Sequence, residues 1–154
     1  MIELSALQTS STVVIAASPD LLYDMIADVT RIGEFSPVCK SCWWDDGAGS
    51  RVGAWFTGKN VMGDIEWERR CQVVAAEPGR HFAWIVGGEK EGPTRWGYRF
   101  TPVAGGTEVE ESWAILRVYP RIENMGDAEL LALRDSTLAG IQATLANLKQ
   151  AAEA

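Results

Sequence analysis

From Asp127 to Ala152 the chain keeps one unbroken helical pattern, and this helix dictates what the rest of the molecule must supply. Leu131, Leu138, Ile141, Leu145 and Leu148 form its apolar stripe, and Gly140 is the only weak helix former inside it. A helix with one apolar stripe has to lie on another element. Everything between residues 39 and 117 is short and β-prone, so the partner is a sheet.

The β-prone region is divided into strands near 39–45, 52–59, 65–76, 81–87, 94–102 and 107–117. The breaks are Asp46-Gly47-Ala48-Gly49, Gly63-Asp64, Glu77-Pro78-Gly79, Gly87-Gly88 through Gly92-Pro93, and Gly105-Gly106. Such close spacing of turn residues implies consecutive antiparallel hairpins. A further strand, rich in Thr, Val and Ile, covers residues 10–17. Ser18-Pro19-Asp20 then marks a helix start, with Ser as N-cap, Pro at the first helical position and an acid in the first turn. Leu22, Met25, Ile26 and Val29 share one face of this short helix. A second helical piece, Thr30 to Phe35, ends at Ser36-Pro37, because the residue before proline disfavours the α conformation. The fold class is therefore α+β, a bent antiparallel sheet of about seven strands gripping a C-terminal helix.

At 154 residues the chain is one domain's worth, expected to span 1–154 with its core at about 10–152. Its net charge is −7. That argues against a nucleic-acid partner and against an electrostatic lipid anchor. No apolar run approaches the roughly 20 residues of a membrane helix, so no stable membrane insertion is expected. Met1-Ile2-Glu3-Leu4 has no basic segment leading into an apolar one, the mark of a secretory signal. Three cysteines, an odd number, suit a reducing compartment. Together these imply a cytoplasmic protein, as a monomer or a homodimer.

Seven tryptophans stand against three tyrosines and four phenylalanines. Period-2 alternation assigns them to faces. Ile65, Trp67, Cys71 and Val73 share one face, as do Phe82, Trp84 and Val86, then Trp96, Tyr98 and Phe100, then Val109, Trp113 and Ile115. Four successive strands thus each send a Trp to the inner face, where the rings either fill the core or line a ligand cavity. Arg69 and Glu111 fall in the same apolar phase. A buried charge is costly unless paired, so the two either pair with each other, emerge at a cavity mouth or contact a ligand. Phe56, Gly58 and Asn60 share a phase on the 52–59 strand, where the glycine leaves room and Asn60 offers a donor and an acceptor.

Cys39-Lys40-Ser41-Cys42 is a CxxC, and Cys71 with His81 would complete a zinc set. In a regular strand residues three apart point to opposite faces, so no metal site is expected. His81, the only histidine, is read as an exposed residue at a turn edge. There is no nucleophile elbow, phosphate loop or dinucleotide fingerprint, and no cofactor is expected.

Several segments carry a family resemblance over about residues 10–150. They are Ser18-Pro19, Asp28 through Pro37, Phe56-Thr57-Gly58-Lys59-Asn60, Thr94-Arg95-Trp96-Gly97-Tyr98 and Gly105 through Trp113. The chain resembles the START-like superfamily of SRPBCC proteins, in particular the small bacterial polyketide cyclase/dehydrase and lipid-transport type common in actinobacteria. The resemblance implies the helix-grip fold. It also implies an acid directly after Ser36-Pro37, where this chain has Val38 and then Cys39. Tyr98 and Arg69 are the candidates for the catalytic tyrosine and arginine of aromatase/cyclases.

The expected function is binding of a hydrophobic small molecule, such as a lipid, polyketide or isoprenoid-like compound. It would sit between sheet and helix, against Phe56, Trp67, Trp84, Trp96 and Trp113, oriented by Arg69, Glu111, Tyr98 or Asn60. The alternatives are a cyclase or dehydratase using the same Arg, Glu and Tyr, and an interaction protein whose cavity is filled.

Overall fold

The computed structural model describes residues 2–154; Met1, where the chain-start reading begins, lies outside the described residues. The elements run η1 (Leu4–Ala6), β1 (Gln8–Ile15), α1 (Pro19–Ala27), η2 (Val29–Glu34), β2 (Cys39–Trp44), η3 (Asp45–Gly47), β3 (Trp55–Met62), β4 (Ile65–Glu77), β5 (His81–Val86), β6 (Thr94–Val103), β7 (Gly106–Ile115) and α2 (Asp127–Glu153). The seven strands form one antiparallel sheet in the order β1-β7-β6-β5-β4-β3-β2. The hairpin succession expected from the turns is present. β3 begins three residues later than expected and β1 two residues earlier.

Ser18 caps α1 as its sequence implies, its Oγ accepting from the Leu21 N–H at 3.2 Å. α1 packs over β5 and β6, and Tyr23 stands edge-on to Phe82 and Phe100. η2 lies against β2. The end of α1 and the start of η2 share Asp28, whose side chain accepts from the Thr30 N–H at 3.1 Å.

α2 lies over the β1–β7 end of the sheet and runs alongside the edge strand. Arg134 donates to the Ala6 carbonyl at 3.4 Å, Lys149 donates to that of Val14 at 2.9 Å, and Glu153 accepts from the Ala16 N–H at 2.9 Å. Its buried residues are Leu130, Ile141, Thr144, Leu145 and Leu148. This corrects the expected stripe in its first half. Leu131 and Leu138 are only half-buried, because the inward face there turns through Leu130 and Ile141.

Candidate functional site

The antiparallel register fixes which side chains meet on the concave inner face. Tyr98 on β6 lies opposite Glu111 on β7, and beyond them Phe82 and Ser11 continue the row onto β5 and β1. One row along, Trp84, Trp96 and Trp113 are direct neighbours across β5, β6 and β7. Trp84 and Trp113 are buried and Trp96 is half-buried.

Glu111 is 4% exposed, and its Oε1 has no hydrogen-bond partner among the described residues. Burial disfavours the charged carboxylate and pushes its pKa up to about 8; a hydrogen bond from Tyr98 opposes that rise. The Tyr98 hydroxyl is itself held well above its ordinary pKa, first by burial and then by the neighbouring Glu111. At neutral pH the pair is therefore a carboxylic acid beside a phenol. It can donate to and accept from a neutral oxygen, and it carries little net charge.

The Trp84 ring does not border open space on all sides. It stands edge-on to Phe56 at 5.6 Å and tilted against Phe82 and Tyr98 at 5.9 and 6.0 Å. Trp44, which the sequence reading passed over, extends this aromatic chain by an edge contact with Phe56 at 5.6 Å. Its signal was available: counting along β2, Trp44 is in phase with the buried Cys42.

Trp67 does not join the tryptophan row. It lies opposite Asn60, three rows from the Val73–Trp84 pair, near the tip of the β3–β4 hairpin. Here the inner phase continues through Gly58, Asn60 and Met62 on β3 and Ile65, Trp67 and Arg69 on β4, and among the described residues no helix packs extensively on these two strands. Trp67 and Asn60 are half-buried, and Met62 and Ile65 are 55% and 66% exposed. The expectation that Arg69 points into the interior is corrected. Its phase is right, yet the outer half of β4 runs past the covered core, so Arg69 is exposed and donates to the Glu68 carbonyl at 3.0 Å. Arg69 and Glu111 therefore do not pair. Of the nine residues singled out, Phe56, Trp84, Trp96, Tyr98, Glu111 and Trp113 gather on the covered half, and Asn60, Trp67 and Arg69 sit on the open half.

Two further expectations are overturned. His81 is buried, on the outer face at the start of β5, between the Glu77 carboxylate at 3.3 Å and the Arg95 guanidinium at 3.3 Å. Burial, then the nearby Arg99, lowers its pKa. Cys39 and Cys42 are not split by strand alternation. Their sulfurs are 3.2 Å apart, because β2 is bulged between Cys39 and Ser41. His81 is on the other face of the sheet, and among the described residues no group of three or more His, Cys, Asp or Glu could hold a metal. Among the described residues no helix is long and apolar enough to cross a membrane.

Among the grooves on the outer face are two of about 430 and 350 Å³. The first is lined by residues of β1, β6 and β7, among them Ser10, Arg95, Glu110, Ser112 and Trp113. The second lies between Trp55, Gln72 and the β5–β6 loop. Neither involves Glu111 or Tyr98.

A seven-stranded antiparallel sheet wrapped on a long C-terminal helix, with two short helices after the first strand, defines the helix-grip class. The family model described as "Polyketide cyclase / dehydrase and lipid transport" matches residues 6–153, and the chain belongs to that family. No curated protein matches the chain. Among solved structures it is similar to the Polyketide_cyc-like protein of Corynebacterium glutamicum, at 35% identity over 94% of this chain and 90% of that one, with a TM-score of 0.66. It shares its fold with a protein of Chromobacterium violaceum, at 13% identity over 96% and 98% of the two chains and a TM-score of 0.72. It shares its fold also with the di-domain ARO/CYC of the steffimycin biosynthetic pathway. That match has 17% identity, 96% coverage of this chain, 50% of the other and a TM-score of 0.74.

Proposed function

We propose that the protein binds a largely apolar small molecule on the concave face of its sheet, with a neutral oxygen of the ligand held by Glu111 and Tyr98. The observation that carries this reading is the buried, unpartnered Oε1 of Glu111. An unsatisfied buried polar atom costs about 1–3 kcal/mol, and a hydroxyl or carbonyl of a ligand would satisfy it. A pKa of about 8 makes Glu111 a neutral donor at pH 7. It therefore favours a ligand alcohol, ketone or ester over a carboxylate, which a cationic site would take. The half-buried Trp96 and the open run of Trp67, Met62 and Ile65 supply apolar surface for the rest of the molecule. The family's description, which includes lipid transport, supports the same class.

A second reading is favoured by the same pair. A carboxyl group poised near neutrality beside a phenol can transfer a proton, which a cyclase or dehydratase of polyketide type requires. The likeness in fold to the steffimycin ARO/CYC is compatible with it. Titration of Trp fluorescence with fatty alcohols, isoprenoid alcohols and aromatic polyketides, in wild type and in Glu111→Leu, tests the binding. Saturable quenching lost at least tenfold in affinity in the variant is expected. Unchanged emission across the panel rejects the binding reading and leaves an interior filled by its own rings. Turnover of a poly-β-keto thioester, abolished in Glu111→Gln and Tyr98→Phe, selects the enzyme.

A further inference from the structure

The bulge in β2 has built a dithiol that a regular strand could not hold. Cys39 pairs with Asn60 and Cys42 with Gly58, two positions apart on β3, so both cysteines face the same way although they are three apart in sequence. Gly58 leaves the room beneath them. A Cβ there would stand 3.3 Å from the Cys42 sulfur and 3.5 Å from that of Cys39. The approach is held from outside as well. Ser36 Oγ accepts from the Cys39 N–H at 2.9 Å and from the Val38 N–H at 3.2 Å, and Lys40 Nζ donates to the Pro37 carbonyl at 3.3 Å.

We infer that Cys39 and Cys42 form a redox-active thiol pair that exchanges with low-molecular-weight disulfides, Cys39 attacking and Cys42 resolving. The assignment rests on geometry. The sulfurs are 3.2 Å apart, and a bond near 2.05 Å needs a closure of roughly 1 Å. Cys39 is half-buried at the edge of the core and is the more exposed of the two, whereas Cys42 is buried. The electrostatics agree. The hydrogen bond from Cys42, together with Lys40, lowers the Cys39 pKa, while that of Cys42 is raised. Cys71, two strands away, is buried, and burial pushes its pKa up to about 12, so it is the inert third thiol.

The exchange balances without any other reactant. The Cys39 thiolate bonds to one sulfur of the disulfide RSSR and expels RS⁻, leaving a mixed disulfide. The Cys42 thiol then loses its proton to solvent, attacks the Cys39 sulfur and expels the second RS⁻. Both leaving thiolates take up protons. The protein loses two electrons and two protons, and RSSR becomes two RSH.

Oxidised glutathione is the probe, and the full chain is the sample. After incubation, alkylation and peptide mapping, the wild type should show a Cys39–Cys42 link, a mass loss of about 2 Da and an alkylated Cys71. In the reduced protein Cys39 should react with iodoacetamide at least about tenfold faster than Cys71. Cys42→Ser should accumulate a stable glutathione adduct on Cys39, Cys39→Ser should form neither adduct nor link, and Cys71→Ser should behave as wild type. A lasting adduct in the wild type, a link through Cys71, or three free thiols after incubation overturns the inference. The wild-type measurement stands even where a serine variant fails to fold.

Discussion

Tyr98 and Glu111 are direct partners across β6 and β7, and both side chains are buried on the concave face. The hydroxyl and the carboxyl share a hydrogen bond, yet one carboxyl oxygen still lacks a partner among the described residues. A carboxyl that is ionised in the unfolded chain at neutral pH is thus held protonated in the fold.

That difference makes stability depend on pH with a definite sign. Glu111 has an ordinary pKa of 4.5, raised to about 8 in the fold. Between those values the folded state binds the extra proton, so stability falls as pH rises. The contribution is complete below about pH 4.5 and is lost as pH climbs through about 8. Denaturant unfolding of wild type and Glu111→Gln at pH 5 and pH 8.5 checks it. The variant should lose less stability over this interval and should be the more stable protein at pH 8.5. Parallel curves would mean that Glu111 is ionised in the fold.

Tyr98→Phe removes the group that opposes the rise in the Glu111 pKa. The carboxyl should then titrate at a still higher pH, and stability at pH 6 should fall by about 1–3 kcal/mol, the cost of leaving a buried polar partner unmade. In a cycle with Glu111→Gln the two changes should be non-additive by at least about 0.5 kcal/mol, as for residues in contact. Additive losses would place the hydroxyl out of reach of the carboxyl.

Two tryptophans that look alike in sequence should behave differently. Trp84 is enclosed by Phe56, Phe82 and Tyr98, so Trp84→Ala should cost about 3–5 kcal/mol. Trp67 is half-buried on the open hairpin and packs on no part of the buried core, so Trp67→Ala should cost no more than about 1 kcal/mol. Thermal or urea unfolding separates the two. Equal losses would mean that the hairpin is covered.

This contrast also marks what could be read from sequence. Alternation placed Trp67, Arg69 and Cys71 in one phase, and the register agrees. What alternation does not carry is how far along a strand the buried core extends. Burial changes from Arg69, which is exposed, to Cys71, which is buried, on the same face. The turn residues and the Ser18-Pro19 cap marked the elements, because their chemistry is local. The convergence of Cys39 and Cys42 was missed because one extra residue in β2 inverts the phase, and the partner that accommodates it, Gly58, lies on another strand. His81 was misread for a similar reason, since the Arg95 that covers it comes from β6.

Glycine to alanine should have opposite signs at two positions. Gly33 in η2 touches the bulged segment of β2, and a Cβ there would overlap the backbone carbonyl of Lys40. Neither backbone can yield without moving the bulge, so Gly33→Ala should destabilise by about 1–3 kcal/mol, as overpacking does. It should also disturb the approach of Cys39 to Cys42. Gly140 sits inside α2, and among the described residues nothing lies within 4 Å of a Cβ placed there. There the methyl group only restricts the unfolded chain and favours helix, so Gly140→Ala should stabilise by about 0.5–1 kcal/mol. Urea unfolding of the two single variants checks the signs, and iodoacetamide labelling of Cys39 in Gly33→Ala checks the coupling. A neutral Gly33→Ala with unchanged labelling would show that η2 does not hold the bulge in place.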